Sequence, residues 1–375
     1  MKLKILEKGM VAQQPTTGPD ATAACSRCVV APNGDLICTF AVQRKRGLND
    51  FKQVMTRSTD GGQTWTKPVY LWPQSHNSFA HIGSISLAPN GEYFISGIRI
   101  PIDQPGESFW SEETHGIKQN TMFWASSSDN CLSWSDPIPV TLPIPGSAES
   151  PGPLTVLRDG TWISCYAPYN TFDSTIKVDR NQVVYLRSED RGATWSYGSM
   201  LRFPDNQSSA AEAWVIELTD GRLLGACWHI APSGKPDYPN AFALSYDKGK
   251  TWTPTRDTGT LGQSCSLTAL DDGRVAMAYN QRQHGDPGIR LIIANPNDND
   301  FTIETDELVW KSEVRTQSNT SGDHDEWEDF SFGEPAMTVL PDRTFLVVFW
   351  LIQPDIQGIG SVSYTHLTLP TIYSV

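Results

Sequence analysis

Apolar residues along this chain gather in short strand-like runs, and six polar, turn-forming breaks punctuate them. The breaks are Ala31-Pro32-Asn33-Gly34, Ala88-Pro89-Asn90-Gly91, Arg158-Asp159-Gly160, Thr219-Asp220-Gly221, Asp271-Asp272-Gly273 and Pro341-Asp342-Arg343. Asn-Gly and Asp-Gly between two apolar runs select tight hairpins. Six such hairpins predict six repeated β-sheet units. The first apolar run, Leu3-Lys4-Ile5-Leu6, has no unit of its own. It is expected to supply the outer strand of the last unit, which closes a ring and removes a sheet edge.

A second pattern follows the strand-like stretches Gln53-Val54-Met55-Thr56 and Gln182-Val183-Val184-Tyr185-Leu186. It reads Ser58-Thr59-Asp60-Gly61-Gly62-Gln63-Thr64-Trp65 in its clearest copy, and Ser188 to Trp195 and Ser245 to Trp252 repeat it. Ser127 to Trp134 is a worn version, and Asn295-Pro296-Asn297-Asp298-Asn299-Asp300 a decayed one. The Asp can accept backbone N–H bonds of its own turn, and the Gly supplies a positive φ. The Trp brings a large apolar surface to the next strand. These Asp residues therefore read as turn staples rather than catalysts.

The four copies resemble the Asp-box (BNR) repeat of the sialidase, or neuraminidase, superfamily. The resemblance covers roughly Ala21 to Ser361. It implies an all-β fold: a six-bladed β-propeller of four-stranded antiparallel blades, one domain over residues 1–361. The remaining residues, 362–375, include Val362-Ser363-Tyr364-Thr365-His366-Leu367, which resembles a translated sequencing adaptor. They are expected to be a non-native tail replacing the last strand.

Composition narrows the function. A net charge of −13 argues against nucleic acid and anionic membrane as partners. No apolar run is long enough to span a bilayer as a helix, and Met1 to Lys8 contains no signal-peptide core. The cytoplasm is thus the default compartment, and the oligomeric state is open. Seven Cys, mostly within strand-like runs, suggest buried reduced thiols. Cys25-Ser26-Arg27-Cys28 has no second pair with which to bind a metal, and the acidic run Asp323 to Asp329 reads as a solvated loop. No cofactor is implied.

In a propeller, the starts of the inner strands converge on the central channel, the natural ligand site. Sialidases place a Glu nine residues before the hairpin glycine of one blade, and Glu212 keeps that spacing to Gly221. In the last blade the same register carries the family's Tyr nucleophile. Here it holds Glu334, nine residues before Arg343. The other blades offer Cys25, Ile82, Pro151 and Ser264. The family's acid/base Asp is matched by Asp50, in the stretch after the second strand of the first blade.

Three arginines clamp the substrate carboxylate in sialidases, because guanidinium meets carboxylate bidentately. The first position is Ala24, with Arg27 nearby but off register. The second is Trp228, beside His229. The third is matched by Arg290, and Arg44 and Arg99 could complete a rearranged set. His81, Tyr166, Glu149, Tyr169 and Trp350 are further channel candidates.

The Tyr is replaced and the arginine set is broken, which disfavours an ordinary sialoside. The expected function is a sialidase-like glycoside hydrolase, with Asp50, Glu212 and Glu334 as its carboxylates and a glycan as substrate. The alternatives are a non-catalytic carbohydrate-binding propeller and a true exo-sialidase with a rearranged arginine set.

Overall fold

The computed structural model describes residues 3–149, 152–205, 207–232, 235–314 and 330–366. Six antiparallel sheets follow one another around a central axis. The first blade runs inside to outside through Thr22–Val30, Leu36–Gln43, Lys52–Ser58 and Val69–Tyr70. The second uses Phe79–Leu87, Tyr93–Pro101, Thr121–Ser127 and Ile138–Val140. The inner strand of the third is split into Ser147–Glu149 and Thr155–Val156, both paired with Trp162–Tyr169. Gln182–Ser188 and Ser196–Arg202 complete that blade. The fourth and fifth begin with Ser209–Glu217 and Cys265–Ala269.

The sixth blade closes the ring as the first apolar run predicts. Its order from the inside is Phe332–Val339, Phe345–Gln353, Ile356–His366 and Leu3–Gln13. Val362 to His366, expected as the start of the tail, continue the third strand. Tyr364 is buried there, opposite Phe345 on one side and Ile5 on the other. Residues 367–375 lie outside the described residues.

The two sequence repeats have separate mechanical roles. At the hairpins the φ of Gly34, Gly91, Gly160, Gly221 and Gly273 is between 84° and 90°, and Arg343 takes the same left-handed region at 66°. In the Asp-boxes each carboxylate staples its own turn. Asp190 Oδ1 accepts the Thr194 N–H at 2.8 Å and Oδ2 accepts its hydroxyl at 2.6 Å, and Asp60 and Asp247 repeat the pair. Even the worn copy keeps it, with Ser133 on Asp129 and Cys131 in the glycine position at φ 62°.

Blades are joined by buried amides as well as by apolar packing. Gln53 both donates to the Gly83 carbonyl and accepts its N–H, and Asn120 does the same with Ala148. Polar groups buried between sheets are costly unless paired in this way. Between its second and third strands the second blade carries an excursion that packs on the loop of the first blade. Asn49 donates to Glu107 Oε1 at 2.7 Å, Leu48 bridges to Ser108, and Phe51 packs on Phe109. Among the described residues no helix is long and apolar enough to cross a membrane.

Candidate active site

Three non-glycine residues of the inner strands hold left-handed backbone: Cys25 at φ 56°, Glu212 at 50° and Glu334 at 49°. Each begins a β-bulge. The pairing jumps from Ala24–Ala41 to Arg27–Thr39, from Ala211–Trp228 to Trp214–Ala226, and from Gly333–Trp350 to Ala336–Val348. A bulge bends the strand and re-aims the side chain that it carries. Left-handed backbone at a Glu or Cys costs on the order of 1 kcal/mol or more and clusters at functional positions. The same device thus occurs at one register in the first, fourth and sixth blades.

All three residues line one cleft on the axis, together with Ile82, Ser264, Trp214 and the backbone of Gly83 and Gly152. The cleft is narrow, with about 50 Å³ of water-accessible space. Hydrogen bonds link the bulges around it. The Cys25 N–H donates to Glu334 Oε2 at 2.6 Å, and the Glu212 N–H donates to Glu149 Oε2 at 2.8 Å. Glu149 is buried at the end of the first segment of the split inner strand.

The electrostatics single out Glu212. Burial raises its carboxyl well above the usual range, and the Glu334 and Glu149 carboxylates push in the same direction. Its Oε2 is shielded from water and has no hydrogen-bond partner. The Ser264 hydroxyl and the Arg282 guanidinium act in the opposite direction and do not cancel the rise. The Cys25 thiol is also raised, by burial first and then by Glu334, so it is held as S–H.

The cation next to these carboxylates is Arg282, which directly follows the second strand of the fifth blade. It is buried, and its guanidinium lies 3.7 Å over the Phe330 ring. Nε and Nη2 donate to the Phe332 carbonyl, and Nη1 donates to Gln263 Oε1 at 2.7 Å. Gly333 makes room for it: a Cβ there would stand 2.1 Å from Nη2. Burial lowers the Arg282 pKa to about 9, while Glu212 and Glu334 oppose that fall. Arg46 reaches the same corner and donates to the Phe330 carbonyl. The sequence offers Arg282 within the stretch that also contains Arg290. Arg282 follows the second strand directly, whereas Arg290 is in the third, Gly288–Pro296.

Several other candidates lie outside the cleft lining. Arg290 is bound by Asp306 of the neighbouring outer strand at 2.8 Å. Asp50 is in the loop held by the second-blade excursion, where half-exposed Arg44 donates to its Oδ2 at 2.5 Å. The other Asp50 oxygen has no partner. Arg99 lies 4.1 Å over Phe79. His81 is enclosed by Trp72, Phe79 and Phe123, and burial lowers its pKa to about 4. His229 stacks on Phe203 at 3.9 Å, and burial lowers it to about 4 as well. Tyr166 and Tyr169 are buried in the second strand of the third blade. Trp228 packs against the core beside Ala211, and Trp350 is buried against Gly333.

Cys25 and Cys28 face different spaces: the first lines the cleft, and the second lines a cavity at the opposite mouth of the channel. Every cysteine is a free thiol. Among the described residues no three His, Cys, Asp or Glu side chains are grouped to hold a metal ion. Pro151 and the acidic run Asp323 to Asp329 lie outside the described residues.

A six-bladed propeller with stapled Asp-box turns and a carboxylate-lined axial cleft defines a member of the sialidase/BNR propeller superfamily. The chain belongs to the BNR repeat-like domain family, whose model matches residues 108–315, and the BNR/Asp-box repeat matches residues 56–67. A sialidase of Bacteroides fragilis (strain YCH46) is 26% identical over 254 residues, covering 60% of this chain. The match spans only 42% of that curated relative. A Dyadobacter fermentans DSM 18053 protein of unknown function superposes with a TM-score of 0.72 at 20% identity, over 97% of this chain and 99% of its own. An α-L-arabinanase of Penicillium chrysogenum, solved with arabinobiose, gives 0.62 at 16% identity, over 96% and 98%. These structural likenesses show a shared fold.

Proposed function

We propose that this protein is a glycoside hydrolase that cleaves a terminal glycosidic bond with carboxylates of the axial cleft, on a glycan other than an ordinary sialoside. The observation that carries this reading is the placement of Glu212 and Glu334 on matching bulges in one cleft. Glycoside hydrolysis needs one carboxyl to protonate the leaving oxygen and a second to act as nucleophile or base. Glu212, raised by burial and by two neighbouring carboxylates, suits the proton donor. Glu334, oriented by the Cys25 N–H, suits the nucleophile or base. Asp50 is held in a loop outside the cleft lining, and a direct role for it requires that loop to approach the substrate.

The arginines favour a substrate without a carboxylate. A bidentate clamp needs free N–H groups pointing into the cleft. Arg282 directs three of its N–H donors to protein carbonyl and amide oxygens, and Arg290 and Arg44 are committed to Asp306 and Asp50.

The test is a panel of aryl glycosides, including an aryl sialoside and an aryl arabinofuranoside, assayed with wild type and Glu212→Gln. Turnover of a neutral glycoside that falls by about 100-fold or more in Glu212→Gln supports the reading. Turnover of the sialoside alone selects the exo-sialidase alternative. No turnover of any glycoside, with saturable sugar binding, selects the binding-propeller alternative.

A further inference from the structure

The second-blade excursion carries a small ribbon, Trp110–Ser111 paired with Gly116–Ile117. The ribbon rests on the third blade, against the loop between Trp162–Tyr169 and Gln182–Ser188. The Ile117 N–H donates to the Asn170 carbonyl at 2.9 Å, and Asn170 Nδ2 donates to the Thr114 carbonyl at 3.0 Å. Gly116 permits the close approach, since a Cβ there would stand 2.5 Å from the Thr171 carbonyl oxygen. The loop is also braced from within. The Asp173 N–H donates to Thr171 Oγ1 at 3.0 Å, and the Thr175 N–H and hydroxyl both donate to Asp173 Oδ1, at 2.9 and 2.6 Å.

Between the ribbon and this loop lies a pocket with about 350 Å³ of water-accessible space, against about 50 Å³ in the axial cleft. That volume falls within the roughly 300–1,000 Å³ of small-molecule sites. Glu113 and Thr114 line it from the ribbon, and Asn170, Asp173, Ser174 and Lys177 from the loop. Glu113, Asp173, Ser174 and Lys177 are exposed to solvent, and Asp173 Oδ2 takes no part in the brace. Phe172, flanked by two lining residues, has 43% of its surface exposed. Donors and acceptors beside an exposed ring suit a sugar, whose hydroxyls do both and whose C–H faces pack on aromatics. Two carboxylates against one ammonium in the lining disfavour an acidic sugar.

The pocket lies at the cleft end of the third blade. Tyr169, just before its loop, pairs with Ser147, and two residues along that inner segment Glu149 accepts the Glu212 N–H. We propose that the pocket is a second sugar-binding site, which holds a distal neutral residue of the substrate glycan through Asp173, Ser174 and Lys177, with Phe172 at its rim. The link to a substrate glycan rests on the glycoside hydrolase reading above. The narrow cleft then acts on the terminal bond, and the pocket selects the rest of the chain.

A printed array of neutral, sialylated and uronic acid-containing oligosaccharides, probed with the full chain carrying Glu212→Gln, tests binding apart from turnover. Neutral glycans should bind. The strongest of them, titrated calorimetrically, should lose about tenfold in affinity in Lys177→Ala and in Asp173→Asn, the scale of a hydrogen bond to a charged group. Asp173→Asn keeps the Oδ1 acceptor that braces the loop. Phe172→Ala should lose several-fold. Tyr197→Ala, an exposed aromatic on the outer strand of the same blade, should bind as the parent does. In the otherwise wild-type enzyme the three pocket variants should raise KM for an oligosaccharide with kcat unchanged, and should leave an aryl monoglycoside unaffected. Pocket-dependent binding without hydrolysis of any glycan would uphold this site and reject the hydrolase reading. Hydrolysis with affinity and KM unchanged in all three pocket variants would reject this site and leave that reading standing. No neutral glycan bound, preference for acidic glycans, or an equal loss in Tyr197→Ala would also overturn the proposal.

Discussion

Cys25 and Glu334 are 309 residues apart in sequence, yet the Cys25 N–H donates to Glu334 Oε2 at 2.6 Å. The bond joins the inner strands of the first and last blades across the point where the ring closes. It also fixes a carboxylate proposed for chemistry. Closure of the propeller and geometry of the site therefore share one contact. Glu334→Ala should lose about 1–3 kcal/mol of stability, the scale for a hydrogen bond to a charged group, and should abolish turnover. Glu334→Gln retains an acceptor for the Cys25 N–H, so chemical denaturation should show a smaller stability loss with a similar loss of activity.

Glu212 gives a pH signature. Its folded carboxyl is raised by burial above the usual Glu value near 4.3. The folded state therefore holds this proton after the unfolded state has released it. Stability from this group is complete below the unfolded pKa and is lost as pH rises through the folded one. Glu212→Gln should unfold at a higher temperature than wild type at neutral pH, and the difference should shrink toward pH 4. Its activity should fall by about 100-fold or more. Calorimetry across pH checks the first part. A variant that is less stable than wild type at neutral pH would show that the carboxyl is not strained there.

The left-handed bulges predict an unusual tolerance. Cys25 holds φ 56°, where glycine is at ease and a β-branched residue is not. Cys25→Gly should keep the stability within about 1 kcal/mol, and Cys25→Val should lose more than about 2 kcal/mol. Equal effects in urea denaturation would argue against strain at this position.

Gly333 is the space that Arg282 occupies. Gly333→Ala would place a Cβ 2.1 Å from Nη2 of a guanidinium pinned by Phe332 and Gln263. Shifting it breaks buried charged hydrogen bonds, so about 2–4 kcal/mol of stability should be lost. Turnover should fall with it, because Arg282 is the cation next to Glu212 and Glu334. A thermal midpoint unchanged from wild type would show that Arg282 relaxes freely.

The Asp-boxes should matter for folding and not for catalysis. Bonds from the Thr194 hydroxyl and N–H hold the Asp190 pKa at about 2. The folded value lies below the unfolded one, so this stabilisation is present above about pH 4 and is lost as pH falls toward 2. Asp190→Ala should lower the thermal midpoint at pH 7, lose less on acidification than wild type does, and leave kcat/KM unchanged. A large fall in kcat/KM for a folded variant would place this turn in the site's mechanics.

The fold was legible because its repeats are local. The hairpin and Asp-box residues satisfy backbone geometry within a few positions, so sequence spacing carries them. Counting back from each hairpin also reached Cys25, Glu212 and Glu334, since the bulge sits at one register in each of those blades. The split inner strand of the third blade broke that count, which reached Pro151 and left Glu149 as only a minor candidate. Arg282 was hidden because its role comes from Gly333 in the next blade, 51 positions away. His81, His229 and Tyr166 fit a channel or a core equally well in sequence, and packing put them outside the cleft lining.

The central claim is that Glu212 donates the proton to the leaving group. Its most direct test compares kcat/KM of wild type and Glu212→Gln on one glycoside carrying either a poor or an activated aryl leaving group. Loss of a general acid should cost about 100-fold or more with the poor leaving group and far less with the activated one, which departs without protonation. Equal losses with both, or no loss with either, would contradict the assignment.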